Sequence, residues 1–144
     1  MLRIVLDSSV LISALMTKTG AAARVLDDAL ADVFHLSLTP AIIAETQKVL
    51  LTYARIRQRY TYTDEELQHF CARLGLAFTL VTTLPPVTGV CRDPNDDMVL
   101  ACAVAAAVQY LVTRDKDLLV LQQYEGIAMI TPEAFLAALR AAPH

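Results

Sequence analysis

The chain has 144 residues, 56% of them hydrophobic, a mean hydropathy of +0.46 and a formal net charge of −3. That length can bury a core without disulfides or a structural metal, and one domain over residues 1–144 is the expectation. The acidic balance, with a pI near 5.5, excludes a broad basic field for holding nucleic acid, and no apolar run reaches the roughly 18 residues needed to cross a bilayer.

Met1 leads directly into an apolar strand with no secretory pattern before it, so a cytoplasmic location without membrane attachment is expected. Cys71, Cys91 and Cys102 are odd in number and lack C-x-x-C spacing, which predicts free, largely buried thiols rather than disulfides or zinc ligands.

In chain order, residues 2–7 read as a strand and residues 8–15 as a short helix capped by Ser8 or Ser9. Residues 17–20 form a loop, expected to be mobile and beside the functional groove. Residues 21–31 have helical spacing and residues 33–38 read as a strand. Thr39-Pro40 is an N-cap followed by proline at the first helical position, opening a helix to about residue 53. The segment Tyr53-Ala54-Arg55-Ile56-Arg57-Gln58-Arg59-Tyr60 alternates arginines among aromatics, a pattern shared by solvated helix faces and by surfaces that stack and neutralise single-stranded RNA. Thr63-Asp64-Glu65-Glu66 is a capping box for a helix ending near Gly75. A strand over residues 77–81, a turn-rich link over 84–89 and a helix over 96–108 opened by Asp93-Pro94-Asn95 follow. The chain closes with a strand over 110–113, a short helix over 117–123, an edge strand over 128–130 and a helix over 132–141. This alternation is the signature of an α/β fold with a central parallel sheet covered on both faces. Neither G-x-G-x-x-G nor a Walker-type loop is present, so dinucleotide and P-loop chemistry lose their sequence support.

The acidic residues carry the functional signal. Asp7 closes the apolar run Ile4-Val5-Leu6, and Asp115 follows Tyr110-Leu111-Val112-Thr113, so both stand at the carboxyl edge of buried strands, where open α/β sheets bind ligands. Glu45 lies in the second turn after Pro40, and Asp96 and Asp97 lie in the first turn of their helix. Asp117 stands two residues beyond Asp115. Capping, helix dipoles or solvation account for each alone. Together they direct carboxylates to one edge of one sheet, where they repel unless a cation sits among them. With no histidine or cysteine in the set, all donors are oxygen. That suits Mg²⁺ or Mn²⁺ and phosphodiester hydrolysis.

At this point the chain resembles the PIN-domain nucleases, above all the VapC-like toxin components. The motifs are Ile4-Val5-Leu6-Asp7-Ser8-Ser9-Val10-Leu11, Thr39-Pro40-Ala41-Ile42-Ile43-Ala44-Glu45, Arg92-Asp93-Pro94-Asn95-Asp96-Asp97-Met98-Val99-Leu100-Ala101 and Tyr110-Leu111-Val112-Thr113-Arg114-Asp115-Lys116-Asp117-Leu118. The resemblance implies a Rossmann-like three-layer α/β/α sandwich that cuts RNA with Mg²⁺ or Mn²⁺. It makes Asp7, Glu45, Asp97 and Asp115 the catalytic, metal-binding quartet, with Asp117 as an accessory metal ligand and Asp96 as the rival for the third position. Thr113 and Ser8 would orient carboxylates or water through their hydroxyls. Many members of the family have asparagine where Ser9 stands. Arg24, Lys48, Arg55, Arg57, Arg114 and Lys116 are candidates for RNA phosphates, and His35, His69 and His144 receive no role. A toxin-like member implies an antitoxin protein as partner and a homodimer. The alternative is a PIN-fold module that binds RNA or protein without cutting. A haloacid-dehalogenase-type phosphatase would need an aspartate at Ser9, and a receiver domain would need one after the third strand, where Thr82-Thr83-Leu84-Pro85 stands.

Overall fold

Ile4, Val5 and Leu6 are consecutive residues of one strand, so their side chains point alternately to opposite faces, yet all three are wholly buried. Both faces of that strand are therefore covered, which places it in the middle of a three-layer arrangement. The structure, a computed structural model, describes residues 1–141. Among these, β1 (Arg3–Leu6), β2 (His35–Leu38), β3 (Thr79–Leu80), β4 (Tyr110–Val112), β5 (Gln123–Tyr124) and β6 (Ile127–Ile130) join in a sheet of order β3-β2-β1-β4-β6-β5. Every pairing is parallel except the edge hairpin β5–β6. Helices α1 (Ser8–Met16), α2 (Ala21–Leu30), α3 (Pro40–Thr52), α4 (Ala54–Arg59), α5 (Asp64–Ala77), α6 (Pro94–Ala105), α7 (Lys116–Leu119) and α8 (Pro132–Ala141) flank it.

The core follows from the apolar strands and the apolar faces of the helices around them. Leu36, Leu38, Leu111 and Val112 join β1 at the centre, α6 lays Leu100, Cys102 and Ala103 across β1, β2 and β4, and α8 inserts Phe135. The Phe135 ring meets Phe34 edge-on at 5.2 Å and Tyr110 at 5.5 Å, which fastens α8 to β4 and to the residue just before β2. Cys71 and Cys102 are buried and Cys91 is half-buried, all three as free thiols. No single helix is long and apolar enough to cross a membrane.

Several boundaries differ from the sequence expectations. Asp7, rather than Ser8 or Ser9, is the N-cap of α1, accepting from the Val10 amide. Residues 54–59 form a separate helix, because Tyr53 is extended (φ −81°, ψ 102°) and breaks the chain between α3 and α4. The α5 helix runs through Gly75 to Ala77, since an interior glycine costs only about 1 kcal/mol when helix formers follow it. The β3 strand shrinks to two residues at the sheet edge. The helix expected over 117–123 stops at Leu119, after which Gln122 takes φ 61° and the chain turns into β5. Glu125 and Gly126 both have positive φ, the two-residue turn that matches the twist of a tight hairpin.

The strand order carries a topological switch. From the central β1 the chain moves outward to β2 and β3, then crosses to the other side for β4. The crevice between the diverging connections lies at the carboxyl ends of β1 and β4, where such sheets bind their ligands.

Candidate active site

Four of the connections at this edge of the sheet supply a side chain and a helix N-terminus. Asp7 caps α1, Thr39 caps α3, Asp93 caps α6 and Asp115 caps α7. The groove they surround has a volume of about 370 Å³, with Asp7, Glu45, Asp96 and Asp115 in its walls and Asp93 and Asn95 at its rim. The helix N-termini turn the positive ends of their dipoles toward this edge, which lowers the cost of gathering acids there.

Asp7 is held at both oxygens. Its Oδ1 accepts from the Ser9 hydroxyl at 2.5 Å and the Val10 amide at 3.3 Å, and its Oδ2 accepts from the Thr113 hydroxyl at 2.5 Å. The two hydroxyls are in turn fixed from β4's far end: Ser9 Oγ accepts the Arg114 amide at 3.0 Å, and Thr113 Oγ1 accepts the Asp115 amide at 2.9 Å. Asp115 Oδ1 then accepts the Asp117 amide at 2.9 Å. This network locks the loop after β4 to the loop after β1, and the Arg114 guanidinium pins the same loop to Glu133 of α8 at 2.7 Å. Burial nevertheless pushes the Asp7 carboxyl up to about 6, against the pull of its hydroxyl and amide donors.

Glu45 reaches the groove from α3, where Ala41, Ile42 and Glu45 share one face at helical spacing. Thr39 starts that helix by accepting the Ile42 amide at 3.0 Å, with Pro40 at the first helical position. Glu45 is exposed, so this wall is the wetter side of the site.

Adjacent aspartates of α6 have different fates. Asp97 accepts the Gly89 amide at 3.1 Å and the Cys91 amide at 2.7 Å, binding the loop that precedes α6. Those hydrogen bonds, the Cys91 amide foremost, hold its carboxyl below the usual carboxylate range. It does not line the groove. Asp96 does, and its Oδ2 is buried with no hydrogen-bond partner. Burial first, then the neighbouring Asp115 carboxylate, push Asp96 up to about 7. Oxygen atoms of Asp96, Asp115 and Asp117 lie within 4.8 Å of one another. A buried oxygen without a donor, beside two more carboxylates, is the arrangement a divalent cation would complete. The donor set is all oxygen and fits a hard ion.

The structure thus brings Asp7, Glu45, Asp96 and Asp115 to one groove, sets Asp117 against Asp96 and Asp115, and turns Asp97 into the preceding loop. Thr113 orients a carboxylate as expected of it. Ser9, rather than Ser8, is its counterpart, while Ser8 lines the groove. Ser9 stands where the family often has asparagine, and either side chain can donate to Asp7, which is the signal that marks it. Burial and the Asp97 carboxylate push the Cys91 thiol up to about 12. Among the basic candidates, Arg24 pairs with Asp28, Arg57 with Asp64 and Arg114 with Glu133, leaving Lys48, Arg55 and Lys116 exposed. Residues 17–20 contribute nothing to the groove walls and lie at the far end of α1, where Thr19 and Gly20 line a separate cavity with Leu136 and Leu139 of α8. His35 Nε2 meets the Thr79 hydroxyl at 3.0 Å, away from the groove, and His144 lies outside the described residues.

Comparison with known proteins agrees with this geometry. A family model described as PIN domain matches residues 3–117. No curated protein matches the chain. Among solved structures, PAE2754 from Pyrobaculum aerophilum is similar with a TM-score of 0.66 and 21% identity, covering 98% of this chain and 91% of its own. That likeness is one of fold. The matched segment spans the strand ends and helix starts that carry the acidic groove, and the chain belongs to the PIN-domain family, whose members are generally nucleases and typically use divalent metals.

Proposed function

We propose that this chain, acting as one domain over residues 1–144, is a Mg²⁺- or Mn²⁺-dependent endoribonuclease, the toxin component of a toxin–antitoxin pair in the cytoplasm. The observation that carries the reading is the shared groove of Asp7, Glu45, Asp96 and Asp115, with a buried Asp96 oxygen that has no donor. Asp96 takes the third metal-binding position in place of Asp97, whose carboxylate is engaged by loop amides, and Asp117 is the accessory ligand.

A bound divalent ion supplies Lewis-acid stabilisation of phosphate oxygens and lowers the pKa of water. The protein's part is to fix the donors. Ser9 and Thr113 hold Asp7 in one rotamer, and the Asp117 amide holds Asp115. Exposed Glu45 faces them across the groove, where it can accept a proton from water entering from solvent. The open acidic groove also suits a basic side chain of an antitoxin. The apolar composition, together with exposed Leu30, Val33 and Leu76, supports a homodimer.

The test is cleavage of a mixed RNA pool with Mg²⁺, Mn²⁺ or EDTA by the protein and by Asp7→Asn, Asp96→Asn and Asp97→Asn, all purified identically. Metal-dependent cutting is expected, abolished at Asp7 and Asp96. Asp97→Asn should melt earlier while still cutting. Equal cutting by the parent and Asp7→Asn would sink the nuclease reading, and loss at Asp97 with retention at Asp96 would return the third position to Asp97.

A further inference from the structure

Between Thr46 and Thr63 the chain has four cations, Lys48, Arg55, Arg57 and Arg59, and no acid, although the whole chain is net negative. The same stretch holds three of its five tyrosines, Tyr53, Tyr60 and Tyr62. The structure divides the labour among these residues. Arg57 bonds the Asp64 carboxylate and lies 5.5 Å over the Tyr62 ring, and the Tyr62 hydroxyl donates to the Leu50 carbonyl at 2.5 Å. This clamp fastens α4 between the end of α3 and the start of α5. It leaves Arg55 and Arg59, four apart and so on one face of α4, exposed and without an acidic partner among the described residues. Tyr53 is 59% exposed at the break before α4, and Arg59 stacks over Tyr60 at 5.7 Å.

These cations begin close to the groove. Lys48 is three residues beyond Glu45 and shares its face of α3, and the end of α3 is seven residues from Glu45, about 10 Å at the helical rise. Positive charge therefore leads out of the acidic groove along α3 and on to α4.

We propose that Lys48, Tyr53, Arg55 and Arg59 form an accessory docking surface for single-stranded RNA, holding the nucleotides on one side of the bond positioned in the groove. Charge complementarity requires a polyanion, and exposed Tyr53 and half-buried Tyr60 flanking the arginines fit unpaired bases better than an acidic peptide. As a place for the substrate of the proposed nuclease, the surface rests on that reading, but its binding is measured independently of cutting.

The test measures anisotropy of an end-labelled single-stranded RNA with Mg²⁺ present, in an Asp7→Asn background. Adding Arg55→Gln with Arg59→Gln should weaken binding and flatten the dependence of log K on log salt by about 1.4, ~0.7 for each phosphate no longer neutralised. Arg55→Lys with Arg59→Lys should keep the slope, because counterion release counts charge. With Asp7 restored, the glutamine pair should raise KM on long RNA at unchanged kcat and leave a dinucleotide substrate unaffected. Loss of binding without any RNA cutting by the parent would sustain the surface and remove the nuclease. An unchanged slope and affinity, or the same loss in the folded lysine pair, would overturn the surface. So would absence of RNA binding by the parent, or a fall in dimer mass with RNA binding intact, which would assign the face to a second copy.

Discussion

Asp7 illustrates what one residue at this site has to reconcile. It is an N-cap, an acceptor for two hydroxyls and a metal-ligand candidate, and burial pushes its carboxyl to about 6 from the ordinary 3.8. In the metal-free protein the folded state therefore keeps a proton that the unfolded chain releases between these values. The stability contributed by the neutral carboxyl is fully present below pH 3.8 and is lost as pH rises through about 6. Asp96, pushed to about 7, acts in the same sense over a slightly higher window. Melting in EDTA should show the parent losing about 1–3 kcal/mol relative to Asp7→Asn between pH 4 and pH 7.5. A constant difference across that range would mean Asp7 is ionised throughout. At this scale the sequence was legible for Asp7, Glu45 and Asp115, which follow apolar strands or a Thr-Pro cap. It favoured Asp97 over Asp96, whereas Asp96 is the one that lines the groove. Both stand one turn before Leu100, and Asp97 is drawn aside by Gly89 and Cys91 amides arriving from a loop with no periodicity to read.

Elements were legible where local chemistry fixes them. Thr39-Pro40 and Thr63 start their helices as expected, the Thr63 hydroxyl accepting the Glu66 amide at 3.0 Å. Ends were harder, because several are set by residues that tolerate what glycine usually supplies. The α6 helix closes with Ala107 in the left-handed region (φ 52°) and with the Val108 amide returning to the Ala103 carbonyl at 3.2 Å, the hydrogen-bond pattern of a Schellman stop. Alanine incurs a steric penalty there that glycine avoids. Ala107→Gly should therefore stabilise the protein by about 0.5–1 kcal/mol, read as a higher denaturant midpoint at unchanged m. A lower midpoint would show that flexibility gained in the unfolded chain outweighs the relief. The β5 strand was missed for a related reason. Leu118 to Gln122 reads as helix, and only positive φ at Gln122 and the Glu125-Gly126 turn redirect it into a hairpin.

Over the whole molecule, the alternation of strands and helices was enough to predict a covered parallel sheet, since wholly apolar strands such as Ile4-Val5-Leu6 have no wet face. The strand order was not readable in the same way, because pairing partners are set by long-range packing. The switch between β1 and β4 is nonetheless what gathers acids separated by more than a hundred residues into one groove. Gathering them opposes folding, so on the proposed reading Mn²⁺ or Mg²⁺ should raise the melting temperature. The gain should approach about 2.7 kcal/mol at a concentration a hundredfold above Kd. Asp96→Asn should largely remove the effect, and an equal metal shift in that variant would place the ion elsewhere. The four helix N-termini around the groove belong to the backbone and survive any exchange of the acids. Converting the carboxylates to amides would leave the positive ends of these helices beside a groove that no longer repels phosphate. An inactivated form would then serve as bait, retaining transcripts long enough for them to be recovered and sequenced.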